Sequence, residues 1–129
     1  MTPGFTAAPA TGLHLIADLA GCDGLCDVAL IEAALREAAE AAHVHVLSVH
    51  LHPFGPEQGV TGVALLAESH ISIHSWPEEG LAAIDIFVCG PLADAEAALA
   101  VICARLGGTL RHVQAIPRLG ARTRATLAP

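Results

Sequence analysis

Residues 68–90 read ESHISIHSWPEEGLAAIDIFVCG, and this stretch decides how the chain folds. In its first half, apolar and polar residues alternate, as they do in a strand with one buried face. The segment WPEEG at 76–80 has the composition of a turn, and an apolar run follows it. The pattern predicts two strands joined by a turn. Such a hairpin would bring Ser69, His74 and Cys89 into one neighbourhood.

The rest of the chain adds strands and helices on both sides of this hairpin. Along the chain, apolar residues recur every two residues in some segments, as in strands, and every 3.6 residues in others, as in helices. Asp27 is placed to cap the first helix. The predicted order is β-α-β-β-β-β-α-β. We expect an α+β two-layer sandwich, an antiparallel sheet with two helices on one face. The uncovered face would carry polar groups or meet a second copy. The predicted strands are 12–19, 43–53, 60–67, 70–74, 82–88 and 109–116, and the helices are 27–42 and 94–106.

The two ends of the chain differ from its middle. Residues 1–11 are rich in Ala, Pro, Thr and Gly and are expected to form a flexible tail. Pro117 is expected to stop the last strand, so that 118–129 is a disordered tail. The whole chain 1–129 is then one domain, because this length suits a single hydrophobic core.

Composition excludes several functions. The formal net charge of -7 argues against a nucleic-acid partner and suits a small cationic substrate. No lysine is present, which excludes a pyridoxal phosphate Schiff base and a P-loop. The four cysteines follow no secretory signal and no segment long enough to span a membrane. We therefore expect reduced thiols, a cytoplasmic location and no membrane partner.

The central stretch resembles the signature of the prokaryotic S-adenosylmethionine decarboxylases, which are small, self-processing and pyruvoyl-dependent. The matching residues are Glu68-Ser69-His70, Ile71-Ser72-Ile73, His74-Ser75-Trp76-Pro77-Glu78 and Asp85-Ile86-Phe87-Val88-Cys89-Gly90, with weaker likeness from Gly12 to Pro117. The resemblance implies self-cleavage between Glu68 and Ser69, which gives a β chain 1–68 and an α chain 69–129. It also implies a homodimer of processed αβ protomers.

Amino-acid decarboxylation leaves a carbanion, so a carbonyl condensed with the substrate amine must take up an electron pair. Without lysine, the chain must make that carbonyl from its own backbone, and a serine can do so. The resemblance assigns this role to Ser69, whose pyruvoyl group would be the cofactor and form a Schiff base. It assigns the processing base to His74 and the proton donor to Cys89. Thr61 stands where the family usually has a serine that assists processing.

The resemblance also indicates a substrate site. Phe54 and Trp76 match positions suited to adenine and the wall of the site, and Glu78 matches the carboxylate that would bind ribose hydroxyls. The family usually has tyrosines where this chain has Glu79 and Leu81. Glu79 would favour any cation beside the pocket. The implied function is decarboxylation of S-adenosylmethionine for polyamine synthesis, and the alternative is ornithine or arginine on the same scaffold.

Two other interpretations stay open. A metal site would use the histidine pairs 43/45 and 50/52 with Cys22 and Cys26, but the predicted strand puts the two pairs on opposite faces, with Val44 and Val46 beside His50 and His52. No compact zinc motif is present, so no metal is expected. A binding module would keep Ser69 unmodified.

A geometric difficulty concerns His74, which in a straight strand faces away from Ser69. The chain must bend near Glu68, or cleavage must free the new terminus.

Overall fold

The computed structural model describes residues 11–120 and has the predicted order of elements. In chain order they are β1 (Thr11–Ala20), α1 (Val28–Ala41), β2 (Val46–Pro53), β3 (Val60–Leu66), β4 (Ser69–Trp76), β5 (Leu81–Cys89), α2 (Ala95–Leu106) and β6 (Thr109–Leu119).

The strands form one six-stranded sheet in the order β2-β3-β4-β5-β1-β6, and all neighbours are antiparallel. Strands β2 to β5 follow one another as a meander, and β1 lies between β5 and the edge strand β6. Helices α1 and α2 contact each other and cover one face of the sheet. The predicted α+β two-layer sandwich is confirmed. The other face of the sheet, here called the open face, carries no helix.

The hydrophobic core lies between the helices and the sheet. Burial alternates along β5, where Ile84 and Ile86 are buried and their neighbours are partly exposed. Ile71 and Ile73 of β4 are buried on the same side, against helix residues such as Ile31. Each such side chain contributes roughly 1.5–3 kcal/mol by leaving water. This burial fixes the register, since a slip by one residue would turn the isoleucines of the slipped strand to the open face.

Both helices begin at a capping aspartate, and of the two only the Asp27 cap was predicted. The Asp27 side chain accepts a hydrogen bond from the Leu30 N–H at 3.1 Å, and the Asp94 side chain accepts one from Ala97 N–H at 3.0 Å. Both carboxylates satisfy N–H groups that a helix start leaves unpaired. Gly107 ends α2 in the left-handed region with φ of 67°, which glycine adopts without steric cost.

The predicted end of the last strand is wrong. Strand β6 continues through Pro117, which pairs with Leu13 of β1, and reaches Leu119. Proline is tolerated here because β6 is an edge strand. Arg118 therefore belongs to the sheet rather than to a tail, and Thr11 likewise belongs to β1. The remainder of both predicted tails, 1–10 and 121–129, lies outside the described residues.

The predicted faces of β2 are partly wrong. Its register against β3 shifts between Val46 and Ser48, so an extra residue, Leu47, interrupts the alternation. Val46 consequently packs against the core, whereas His50 stays exposed opposite Val63. The histidines of β2 thus lie on the open face without the valines predicted to accompany them.

Candidate active site

Ser69 stands at a strained corner of the sheet. Strand β3 ends at Leu66 and β4 begins at Ser69, so only Ala67 and Glu68 form the turn between them. Glu68 has φ of 62°, in the left-handed region that non-glycine residues seldom occupy. Such a conformation costs roughly 1–3 kcal/mol and persists only when the surrounding fold imposes it. The strain lies directly before the peptide bond that the sequence singles out.

Cys89 lies next to Ser69. Strand β5 runs antiparallel to β4, so the end of β5 meets the start of β4. The Cys89 backbone N–H donates a hydrogen bond to Ser69 Oγ at 3.3 Å, and both residues are half-buried. The prediction that the hairpin brings these two residues together is therefore confirmed.

His74 is not part of this neighbourhood, and the prediction that placed it there is wrong. The pairing of β4 with β3 shows no register shift between Ser69 and His74, so the two side chains point to opposite faces. Five residues of strand separate their Cα atoms by about 16 Å. The bend at Glu68 precedes Ser69 and does not shorten this distance.

His74 lies instead beside Thr61, its partner on β3. Thr61 Oγ1 and His74 Nδ1 are 3.1 Å apart, within hydrogen-bonding distance. Both residues line an open-face depression of about 350 Å³ that also includes His50 and His52. The two residues expected to assist processing thus lie together, away from Ser69 of the same chain.

The predicted substrate residues also lie at the end of β4 remote from Ser69. Trp76 and Glu79 line a cavity of about 340 Å³ together with Asp18 and Arg111. Glu78 is exposed in the same turn, which joins β4 to β5. Sequence reasoning did not identify Asp18 or Arg111 as lining residues, because only strand pairing brings β1 and β6 to this turn.

Phe54, the other predicted substrate residue, is exposed in the loop after β2. Its ring packs edge-on against His52 with 4.8 Å between the ring centroids. The side chain is therefore available on the same side of the molecule as the histidines of β2.

A polar cluster on the open face was missed by sequence reasoning. The Asp85 carboxylate on β5 accepts hydrogen bonds from three side chains: Ser72 Oγ at 2.8 Å, His70 Nε2 at 3.0 Å, and His14 Nε2. Burial raises the pKa of Asp85, but the hydrogen bonds from His14, Ser72 and His70 outweigh it and leave the pKa below its usual value. A carboxylate at an open-face position of β5, opposite Ser72 of β4, was the available signal.

Arg118 and Phe87 complete this cluster. An Arg118 N–H donates to His14 Nδ1 at 3.0 Å. Since a guanidinium can only donate, His14 Nδ1 is the acceptor and Nε2–H is free to donate to Asp85. The Phe87 ring stacks on His70 with 6.0 Å between centroids and meets His14 edge-on at 5.7 Å. Arg118 lies 5.9 Å from the centre of the Phe87 ring.

No set of three His, Cys, Asp or Glu side chains within 11–120 is arranged to hold a metal ion. Across the same residues, neither helix has the length and apolar character needed to cross a membrane.

The fold and the site define a two-layer α+β protein that has a serine at a strained hairpin corner beside a strand-end cysteine. The family profile described as S-adenosylmethionine decarboxylase matches residues 13–119. The chain belongs to the S-adenosylmethionine decarboxylase family.

Individual relatives agree with this assignment. An S-adenosylmethionine decarboxylase proenzyme of Thermomicrobium roseum is 38% identical over 107 residues, which are 83% of this chain and 92% of that protein. One of Parasynechococcus marenigrum is 50% identical over 93 residues, which are 70% of this chain and 72% of the relative. The crystal structure of the adenosylmethionine decarboxylase from Aquifex aeolicus VF5 superposes with a TM-score of 0.72 at 38% identity, covering 87% of this chain and 92% of that one.

Proposed function

We propose that this protein is a pyruvoyl-dependent S-adenosylmethionine decarboxylase that cleaves itself between Glu68 and Ser69. The observation that carries the proposal is the strained backbone of Glu68 directly before Ser69, in a family member that has no lysine. The product would be decarboxylated S-adenosylmethionine, the aminopropyl donor for spermidine.

The cleavage follows from the chemistry of serine. Ser69 Oγ attacks the Glu68 carbonyl carbon, and the bond to the Ser69 nitrogen breaks, so an ester replaces the amide. Removal of the Ser69 Cα proton then breaks the Cβ–Oγ bond, and the oxygen leaves with the new carboxylate of Glu68. Water replaces the nitrogen of the resulting terminal residue, releasing ammonia and leaving a pyruvoyl group. The chains 1–68 and 69–129 are the products.

The pyruvoyl group supplies a ketone that condenses with the substrate amine and takes up the electron pair left by carbon dioxide. Cys89 is the proposed proton donor, because β5 ends beside Ser69 and a thiol can give up a proton to a carbanion. His74 is the proposed base that removes the Ser69 Cα proton during processing. Thr61 holds the His74 ring through the contact at Nδ1, which leaves Nε2 for the proton transfer.

The distance between Ser69 and His74 is one that a second copy of the chain would bridge. We infer a homodimer in which the open faces of two sheets meet in opposite directions. His74 and Thr61 of one protomer would then approach the Glu68–Ser69 corner of the other. Exposed apolar side chains on this face, including Leu65 (44%) and Trp76 (45%), support an interface there.

The same arrangement would complete the substrate site. Trp76 and Phe54 would contact the adenine, Glu78 would accept hydrogen bonds from the ribose hydroxyls, and Glu79 would favour the sulfonium charge. The net charge of -7 adds a field that attracts a cationic substrate. These substrate residues lie far from Ser69 of the same chain. In the dimer, the substrate residues of one chain and Ser69 of the other would form one site, which explains why they lie at opposite ends of β4.

Intact-mass spectrometry and a carbon dioxide release assay test the proposal together. The purified protein should give two chains, with the α chain lacking nitrogen at its first residue, and S69A should stay whole. The cleaved protein should release carbon dioxide from S-adenosylmethionine. Release from ornithine or arginine instead would replace the substrate but keep the chemistry, and an uncleaved active protein would refute the proposal.

Co-expression of two inactive variants tests the shared site. S69A and H74A should each fail to process alone. In a mixed dimer, one site joins the intact Ser69 of the H74A chain to the intact His74 of the S69A chain, so cleavage of the H74A chain should be restored in the mixed dimers. If no cleavage returns although the two chains copurify, His74 acts within its own chain or not at all.

A further inference from the structure

Asp85 holds the beginning of β4 through side chains rather than through the backbone alone. His70 and Ser72, the first two open-face residues after Ser69, both donate to Asp85 Oδ2, at 3.0 and 2.8 Å. His14 donates to the other oxygen, Oδ1. The Asp85 side chain is 28% exposed, so these hydrogen bonds to a charged acceptor are partly shielded from water.

Self-cleavage removes two attachments at the start of this segment and leaves only the backbone pairing of β4 with β3 and β5 beside the Asp85 contacts. Before cleavage, Ser69 is held by its peptide bond to Glu68 and by the hydrogen bond from the Cys89 N–H to Oγ. Formation of the ester breaks the peptide bond, and the elimination then breaks the Cβ–Oγ bond and carries Oγ away on the Glu68 carboxylate. Both attachments are therefore lost in the course of self-cleavage, at a residue that has just become a chain terminus. Chain termini fray unless other contacts fix them.

The cluster around Asp85 is built to keep its orientation. Arg118 donates to His14 Nδ1, which leaves the Nε2–H of His14 to occupy Oδ1. Oδ2 is thereby left to the two donors of β4. The Phe87 ring stacks on His70 with an interplanar angle of 21°, and a side chain at Gly12 would meet this ring at 2.8 Å. The absence of a side chain at Gly12 therefore gives the Phe87 ring its place.

We propose that Asp85 is a positioning residue that holds the new terminus of the α chain in the sheet after cleavage, through His70 and Ser72. The inference rests on the proposed function. The carboxylate keeps the catalytic ketone at the end of β5 without touching it. The contribution of Asp85 is therefore larger in the cleaved protein than in the uncleaved one.

Asp85→Asn tests this role, because the amide keeps the shape of the side chain but replaces one acceptor oxygen with a donor. Cleavage should still occur, since the turn and the serine are unchanged. Loss of hydrogen bonds to a charged group should lower kcat about 10-fold to 100-fold with KM nearly unchanged. Ser72→Ala should have the same effect more weakly. Glu40→Gln, on the exposed face of α1, is the matched carboxylate control and should leave kcat as it is.

Amide exchange measured by NMR separates positioning from general stability. In the cleaved protein, Asp85→Asn should speed exchange of the Ile71 and Ser72 amides at least about tenfold, whereas in the uncleavable S69A protein the same substitution should have a much smaller effect. Equal acceleration in both backgrounds, or an unchanged kcat, would overturn the inference. If Asp85→Asn does not fold, Ser72→Ala carries the same comparison. A wild-type protein that stays whole would overturn the proposed function, and this inference with it.

Discussion

Replacing Glu68 with glycine tests whether backbone strain helps to break the bond that follows it. Glu68 lies at φ of 62°, and a side chain in this region costs roughly 1–2 kcal/mol that glycine does not pay. Alanine keeps the strain but loses the carboxylate, so E68A and E68G differ only in backbone freedom. In the uncleavable S69A background, the free energy of unfolding of E68G should therefore be about 1 kcal/mol higher than that of E68A.

The effect on processing has the opposite sign. If the strain is released as the Glu68 carbonyl becomes tetrahedral, its removal slows cleavage by the same energy, and roughly 1–2 kcal/mol corresponds to about 5-fold to 30-fold in rate. The assay follows the conversion of full-length chain to the two fragments on a denaturing gel. The E68A and E68G variants used here retain Ser69 and are prepared in parallel. Equal cleavage rates for the two variants would show that the left-handed turn serves the hairpin alone.

Three further predictions concern stability and thiol chemistry. Ser75 is 7% exposed, and its hydroxyl accepts a hydrogen bond from one backbone N–H and donates one to a backbone carbonyl of other segments. Ser75→Ala should therefore lower the free energy of unfolding in urea by about 1–3 kcal/mol, and a decrease below about 1 kcal/mol would contradict a stabilising role for these hydrogen bonds. The pKa of Asp85 is lowered in the fold, so its contribution to stability is present above the unfolded value near 3.9 and is lost as the pH falls below about 4. The free energy of unfolding should accordingly decrease less between pH 5 and pH 3 in D85N than in the wild type, and equal decreases would refute this. Burial raises the pKa of the Cys22 and Cys103 thiols, whereas Cys26 is exposed. Iodoacetamide at pH 8 should therefore modify Cys26 before Cys22 and Cys103, and intact-mass analysis would contradict this if either of those two thiols reacts as fast.

The hairpin was predictable because its signal is local. Alternation along 70–74, a turn at 76–80 and a second apolar run specify two paired strands, whatever the rest of the chain does. The capping aspartates Asp27 and Asp94 similarly fix where each helix begins. The meeting of Ser69 with Cys89 follows from the same hairpin, so that part of the candidate site could be read from the sequence.

The parts that could not be predicted depend on pairings between distant segments. The sequence does not say that β1 lies between β5 and β6, and only this order brings His14 to Asp85 and lets β6 continue through Pro117 as an edge strand. The bulge at Leu47 depends on the register of β2 against β3 and leaves no mark in the local alternation.

The separation of Ser69 from His74 is a consequence of the same antiparallel sheet that unites Ser69 with Cys89. A hairpin brings together the start of one strand and the end of the next, so residues further along β4 must move away from that corner by about 3.3 Å each. A single sheet with one open face cannot hold a nucleophile and a base from opposite ends of one strand in contact. A second sheet laid on the open face in the opposite direction can, since it places the far end of its β4 over the corner. Self-cleavage would then depend on association, and dilution of the unprocessed protein below the dimer dissociation constant should slow it.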